Sequence, residues 1–123
     1  MVFLGTYGTY GVTAMSDYYI LEGKTPIKVG DALAWARAFE QSNRRVARDE
    51  VGKGKIVVST VFLGLDHRFG NEGPPQIFET MIFGGSHDQY QTRCSTWDEA
   101  ERQHATALEM ARLDVNYLDA DRI

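Results

Sequence analysis

The stretch Val57-Val58-Ser59-Thr60-Val61-Phe62-Leu63-Gly64-Leu65-Asp66-His67 decides the fold. It is rich in β-branched and aromatic residues, the composition of a strand packed on a core. It then stops on an acid and a base, so the strand surfaces into a loop at Asp66-His67. Upstream, Arg44-Arg45-Val46-Ala47-Arg48 leads to Gly52-Lys53-Gly54 and into the apolar run from 55 to 65, which predicts a hairpin closed by a glycine turn. Downstream, a loop rich in glycine and proline covers 66–75. The strand QIFETMIF follows at 76–83 and ends on Gly84-Gly85.

Farther out, the pattern alternates between strand and helix. DYYIL at 17–21 and TPIKV at 25–29 flank Glu22-Gly23-Lys24, a second hairpin; Pro26 donates no ladder hydrogen bond, so its strand is short or at an edge. Asp31 is a suitable N-cap for a helix over 32–41, in which Leu33, Trp35, Ala36 and Phe39 follow helical spacing. Thr96-Trp97-Asp98-Glu99 is a capping box that opens a long helix. That helix carries Trp97, Ala100, His104, Ala107, Leu108 and Ala111 on one stripe and keeps Glu101, Arg102, Gln103, Glu109 and Arg112 away from it. The expected fold is α+β: a small, mainly antiparallel sheet, the C-terminal amphipathic helix packed on one face, and a shorter helix near the N-terminus. Residues 1–14 carry no charge and alternate glycine with tyrosine, and they read as a flexible extension ahead of a single domain over 15–123.

Composition narrows the function classes. With 123 residues, 43% hydrophobic and 24% charged, the chain has the balance of one soluble globular domain. A net charge of −4 argues against a nucleic-acid backbone as the main partner. The lone Cys94 has no intrachain disulfide partner, as suits a reducing cytosol, and reads as a structural thiol. No apolar run approaches a membrane span, so a membrane partner is not expected.

The strings VSTVFLGLDH, PP, FETMIFGG and STWDEA occur in that order between Val58 and Ala100. With Tyr18-Tyr19-Ile20, Trp35 to Glu40 and Arg44-Arg45-Val46-Ala47 ahead of them, the pattern resembles a family of small phage and prophage proteins without an assigned activity. The resemblance covers about residues 15 to 113. It implies a viral or mobile-element product working in the cytoplasm of a bacterial host, and it assigns no catalytic residue.

The residues themselves favour binding over catalysis. Asp66-His67, His87-Asp88 and His104 lack metal-ligand spacing, so neither a metal nor another cofactor is expected. His104 lies on the apolar stripe and reads as a hydrogen-bonded core histidine. Ser59 and Thr60 sit mid-strand with no nucleophile elbow around them. Glu79 alternates with Ile77, Met81 and Phe83, where a lone charge is costly without a partner; Arg93, Arg45 and His67 are the candidates. The loop carrying Asp66, His67, Arg68, Phe69 and Asn71 offers a cation, an aromatic plane and amide donors, with Arg45 and Arg48 supplying further positive charge. These residues and Glu79 form the expected ligand-binding set for a nucleotide-like small molecule. The expected role is an accessory factor that inhibits bacterial defence, by sequestering such a signal or by blocking a host defence protein. A homo-oligomer is expected from the short edge strands. The alternative is a small hydrolase or nuclease using Glu79, Asp66 and His67, with or without a divalent metal.

Overall fold

The computed structural model describes residues 17–68, 70 and 72–120. The expected extension at 1–14 and the candidates Phe69 and Asn71 lie outside those residues. The element order is β1 (Tyr18–Glu22), β2 (Thr25–Val29), α1 (Ala32–Gln41), β3 (Arg45–Val51), β4 (Ile56–Phe62), β5 (Phe78–Phe83), β6 (Gln91–Cys94) and α2 (Trp97–Ala120). The first hairpin stands as its own two-stranded sheet, and β3-β4-β5-β6 form a four-stranded antiparallel sheet in sequence order. The architecture is α+β, with α2 packed across one face of the larger sheet.

β4 is the centre of the core. Ile56, Val58, Thr60 and Phe62 are buried while Val57, Ser59 and Val61 are half-buried on the opposite face. The strand therefore has two distinct sides despite its nearly unbroken apolar sequence. On β5, Phe78, Thr80 and Ile82 take the same inner side. Against them α2 sets Ala100, His104, Ala107, Ala111 and Asp114, alternating steps of four and three. Three small alanines in that stripe let the helix lie close to the sheet. Ile56, Val58 and Ile82 meet Ala107 and Ala111, while Phe62, Ile77, Phe78 and Cys94 meet Ala100, with Trp97 and Tyr19 at the margin. Each fully buried large side chain contributes about 1.5–3 kcal/mol by leaving water.

The capping box forms as the sequence predicts. Glu99 N–H donates to Thr96 Oγ1 at 3.1 Å, and Thr96 N–H donates back to Glu99 Oε1 at 3.1 Å. Asp31 caps α1, its Oδ1 accepting from Leu33 N at 2.9 Å and Ala34 N at 3.3 Å. One expectation is corrected: Ile77 does not share a face with Glu79. β5 begins at Phe78, and Ile77 precedes it with its N–H donated to Cys94 O at 2.9 Å and its carbonyl accepting from Leu63 N at 2.7 Å. That bend turns Ile77 into the core, where it is 1% exposed.

α1 and the small sheet sit at the far end of β4. Tyr19 N–H donates to Gly64 O at 2.8 Å, and Trp35 Nε1–H donates to Tyr19 O at 2.9 Å. Gly64 has φ +77°, and a Cβ there would lie 2.5 Å from Phe39 Cε1. Only glycine lets the chain leave β4 in that left-handed turn with α1 resting directly on it.

A candidate binding face on the open side of the sheet

α2 covers one side of the four-stranded sheet, and the β-ladder registers fix what the other side presents. Arg45, Val61, Glu79 and Arg93 lie opposite one another across all four strands. The next rung on the same face is Arg48, Ser59, Met81 and Gln91, and the third is Glu50, Val57 and Phe83. The middle of this face is apolar, with Val57, Val61 and Met81 half-buried and Phe83 exposed by 41%. Its rims are charged. Three arginines oppose two glutamates, so the face is net positive on a chain of net charge −4.

Glu79 has the partner its surroundings demand. Arg93, directly across the ladder, places Nε 3.0 Å from Glu79 Oε2, and Gln91 Nε2–H donates to the same oxygen. The Glu79 side chain is 15% exposed, so this pair is held more firmly than a surface ion pair. Arg48 contacts Glu50 at 2.6 Å two residues along β3, with both side chains well exposed. Arg45, also exposed, makes no ion pair among the described residues.

The structure thus brings Arg45, Arg48 and Glu79 onto one face and leaves Asp66, His67 and Arg68 in the loop beyond β4. There Asp66 braces the loop. Its Oδ1 accepts from Arg68 N at 2.9 Å and from Gln76 N at 2.9 Å, and Arg68 Nε lies 2.7 Å from Oδ2. The Asp66 side chain is 3% exposed, and Arg68 Nη1–H donates to Gly73 O. Both charged groups are occupied in holding the loop's two ends together. His67 is exposed and directs Nδ1–H to Leu65 O at 2.9 Å, leaving Nε2 toward solvent.

A second polar array runs from the half-exposed Asp49 on β3 into the core. His104 Nε2 is 2.8 Å from Asp49 Oδ2, His104 Nδ1 is 2.7 Å from Thr60 Oγ1, and Thr60 Oγ1 is 2.7 Å from Thr80 Oγ1. One assignment of hydrogens satisfies the whole chain. Asp49 only accepts, so Nε2 carries the proton; Nδ1 then accepts from the Thr60 hydroxyl, which accepts from Thr80. Carboxylate, imidazole and hydroxyl follow the order of a nucleophilic triad. Thr60 and Thr80 are nevertheless 0% exposed, so no substrate reaches the hydroxyl. The array bolts α2 to the sheet. Sequence spacing gave no hint of it, because Asp49 and His104 are 55 residues apart.

Cys94 is buried, and that burial, reinforced by the nearby Glu99 carboxylate, pushes its thiol up to about 11. It is a packing residue, not a nucleophile. Among the described residues no three His, Cys, Asp or Glu side chains group closely enough to hold a metal ion, and no helix is long and apolar enough to cross a membrane. A shallow depression lined by Tyr90, Glu99, Arg102, Gln103 and Thr106 lies beside β6. The chain matches no family model, no curated protein and no solved structure.

Proposed function

We propose that the chain works by binding, through the face of its four-stranded sheet opposite α2, and that its ligand is an anionic, nucleotide-like molecule. The observation that carries this reading is the pair of polar rungs, Arg45-Val61-Glu79-Arg93 and Arg48-Ser59-Met81-Gln91. Strands of a sheet are a rigid support, and rigid support is what precise recognition needs. The rim arginines meet phosphate, the apolar middle with Phe83 and Met81 takes a base, and Gln91 and Ser59 supply hydrogen bonds. The net positive charge of this face against an acidic whole steers an anion to it. In this reading the loop at Asp66, His67 and Arg68 flanks the face and shapes its end.

Together with the resemblance to small phage proteins, this supports the reading of an accessory factor that acts in the cytoplasm of a bacterial host by sequestering a nucleotide-like signal of bacterial defence. Blocking a host defence protein with the same face is the second outcome the experiment distinguishes. Mass spectrometry of small molecules released from the purified protein is the direct test, followed by titration with AMP as a probe. Arg45→Ala and Arg48→Ala should each weaken AMP binding several-fold, more strongly at low salt, and EDTA should leave it unchanged. The reading is abandoned if no nucleotide is released and AMP binding is either absent or indifferent to both substitutions.

A further inference from the structure

β3 is one of the two edge strands of the larger sheet, seven residues long and free of proline. Among the described residues nothing pairs with its outer edge, so a row of backbone N–H and C=O groups is open to a further strand. The charges along it select the partner. Arg48 and Glu50 stand on the open face on either side of Asp49, which points to the helix side and meets His104.

We propose that a second copy of this chain pairs with that edge, β3 against β3, antiparallel about a two-fold axis at Asp49. In that register Arg48 lies opposite the partner's Glu50, and Glu50 lies opposite the partner's Arg48. Two intermolecular ion pairs then join, or replace, the intrachain pair now seen at 2.6 Å. On the helix side Ala47 lies opposite the partner's Val51, an apolar pair continuous with the core that already includes Val51. Moving the axis to Arg48 sets two arginines opposite each other, and moving it to Glu50 sets two glutamates, both destabilising. The bulge between Arg45 and Ala47 and the turn after Val51 bound the ladder at its two ends. One contact opposes assembly: the two Asp49 carboxylates meet on the axis, each receiving a His104 Nε2–H within its own copy. The product is one continuous sheet that places the two open faces side by side, an isologous contact of the kind most dimers use.

Light scattering on the full chain at micromolar concentration tests the pairing. The wild type should give twice the single-copy mass of 13.8 kDa. Arg48→Glu and Glu50→Arg should each raise the dissociation constant about tenfold or more, because each places like charges opposite twice over. The R48E/E50R double variant should recover the dimer. Asp49→Asn keeps an acceptor for His104 while removing the repulsion on the axis, so it should tighten the dimer. Arg48 and Glu50 are exposed, and circular dichroism should confirm that the variants keep their fold. A single-copy mass for the wild type, single reversals that leave the mass unchanged, or a double variant that stays monomeric each overturns the proposal.

Discussion

Asp114 closes on Ser86 twice: its Oδ2 accepts the Ser86 backbone N–H at 2.8 Å and its Oδ1 accepts the Ser86 hydroxyl at 2.8 Å. This clasp ties the C-terminal third of α2 to the loop joining β5 and β6. Gly85 makes it possible, since a Cβ there would lie 2.5 Å from Asp114 Oδ2. The side-chain and backbone hydrogen bonds from Ser86 hold the Asp114 carboxyl below the usual carboxylate range, and burial opposes them only in part. A carboxyl lowered in the folded state contributes stability above its unfolded value of about 4, and that contribution is lost as the pH falls through the folded value. Asp114→Ala should therefore lower Tm at neutral pH, and the gap to wild type should close in acid below about pH 4. Thermal melts across that range check the sign; a gap that stays constant means the carboxylate charge plays no part.

The direction of the buried hydroxyl chain makes a sharper prediction. Thr60 donates to His104 and accepts from Thr80, so Thr60→Val strips the ring nitrogen of its donor and leaves the Thr80 hydroxyl without an acceptor. That should cost about 1–3 kcal/mol. Thr80→Val removes only the terminal donor and should cost less than half as much. Urea denaturation of the two variants decides it. A larger loss for Thr80→Val would mean that Thr60 is not the link that joins His104 to Thr80.

Much of this architecture was legible beforehand. The strand expected within 55–65, which forms over Ile56–Phe62, the glycine turn before it and the capping box at Thr96 are local signals, each set by neighbours within a few residues. The stripe on α2 predicted Ala100, His104, Ala107 and Ala111 as buried, and they are. What the pattern did not reveal depends on register. Arg45 and Arg93 share a rung only because three ladders align them, and Asp49 meets His104 only because α2 crosses β3 at that point. Asp66 read as a ligand-binding residue at the start of a loop, because nothing local shows that Gln76 N–H returns to it from ten residues away.

Gly64 tests how α1 is seated. A methyl group there would meet Phe39 Cδ1 at 2.8 Å and Trp35 Nε1 at 3.2 Å, on a backbone already at φ +77°. Gly64→Ala should destabilise by about 1–3 kcal/mol from the left-handed strain alone, with α1 displaced in addition. Tryptophan fluorescence should shift as the Trp35 bond to Tyr19 O loosens. An unchanged spectrum with unchanged Tm would show that the helix does not rest on this turn.

Cys94 should be silent toward thiol reagents. With its pKa raised to about 11 by burial, almost no thiolate is present at pH 8 and the sulfur is shielded from solvent. Ellman's reagent should titrate one thiol in denaturant and essentially none in the native protein over the same interval. Rapid native labelling would require β6 and the start of α2 to open.

Glu79 separates the binding reading from the hydrolytic one. Its carboxylate neutralises Arg93 across the ladder at 3.0 Å and takes a further hydrogen bond from Gln91. If the face receives an anion, that carboxylate competes with the ligand for the guanidinium. Glu79→Gln keeps the shape and the hydrogen-bonding capacity while releasing the positive charge of Arg93. AMP should then bind more tightly, by up to about fivefold, as expected for about 1 kcal/mol of partly exposed charge pairing. Stability should fall slightly, since one cross-strand charge pair is lost. An acid that orients the ligand or acts as a base predicts the reverse, weaker binding or abolished turnover. Calorimetric titration of AMP into wild type and Glu79→Gln, at low and at physiological salt, tells the two apart by the sign of the change. Tighter binding that fades as salt rises is the signature of an arginine set free; weaker binding in Glu79→Gln rules that role out.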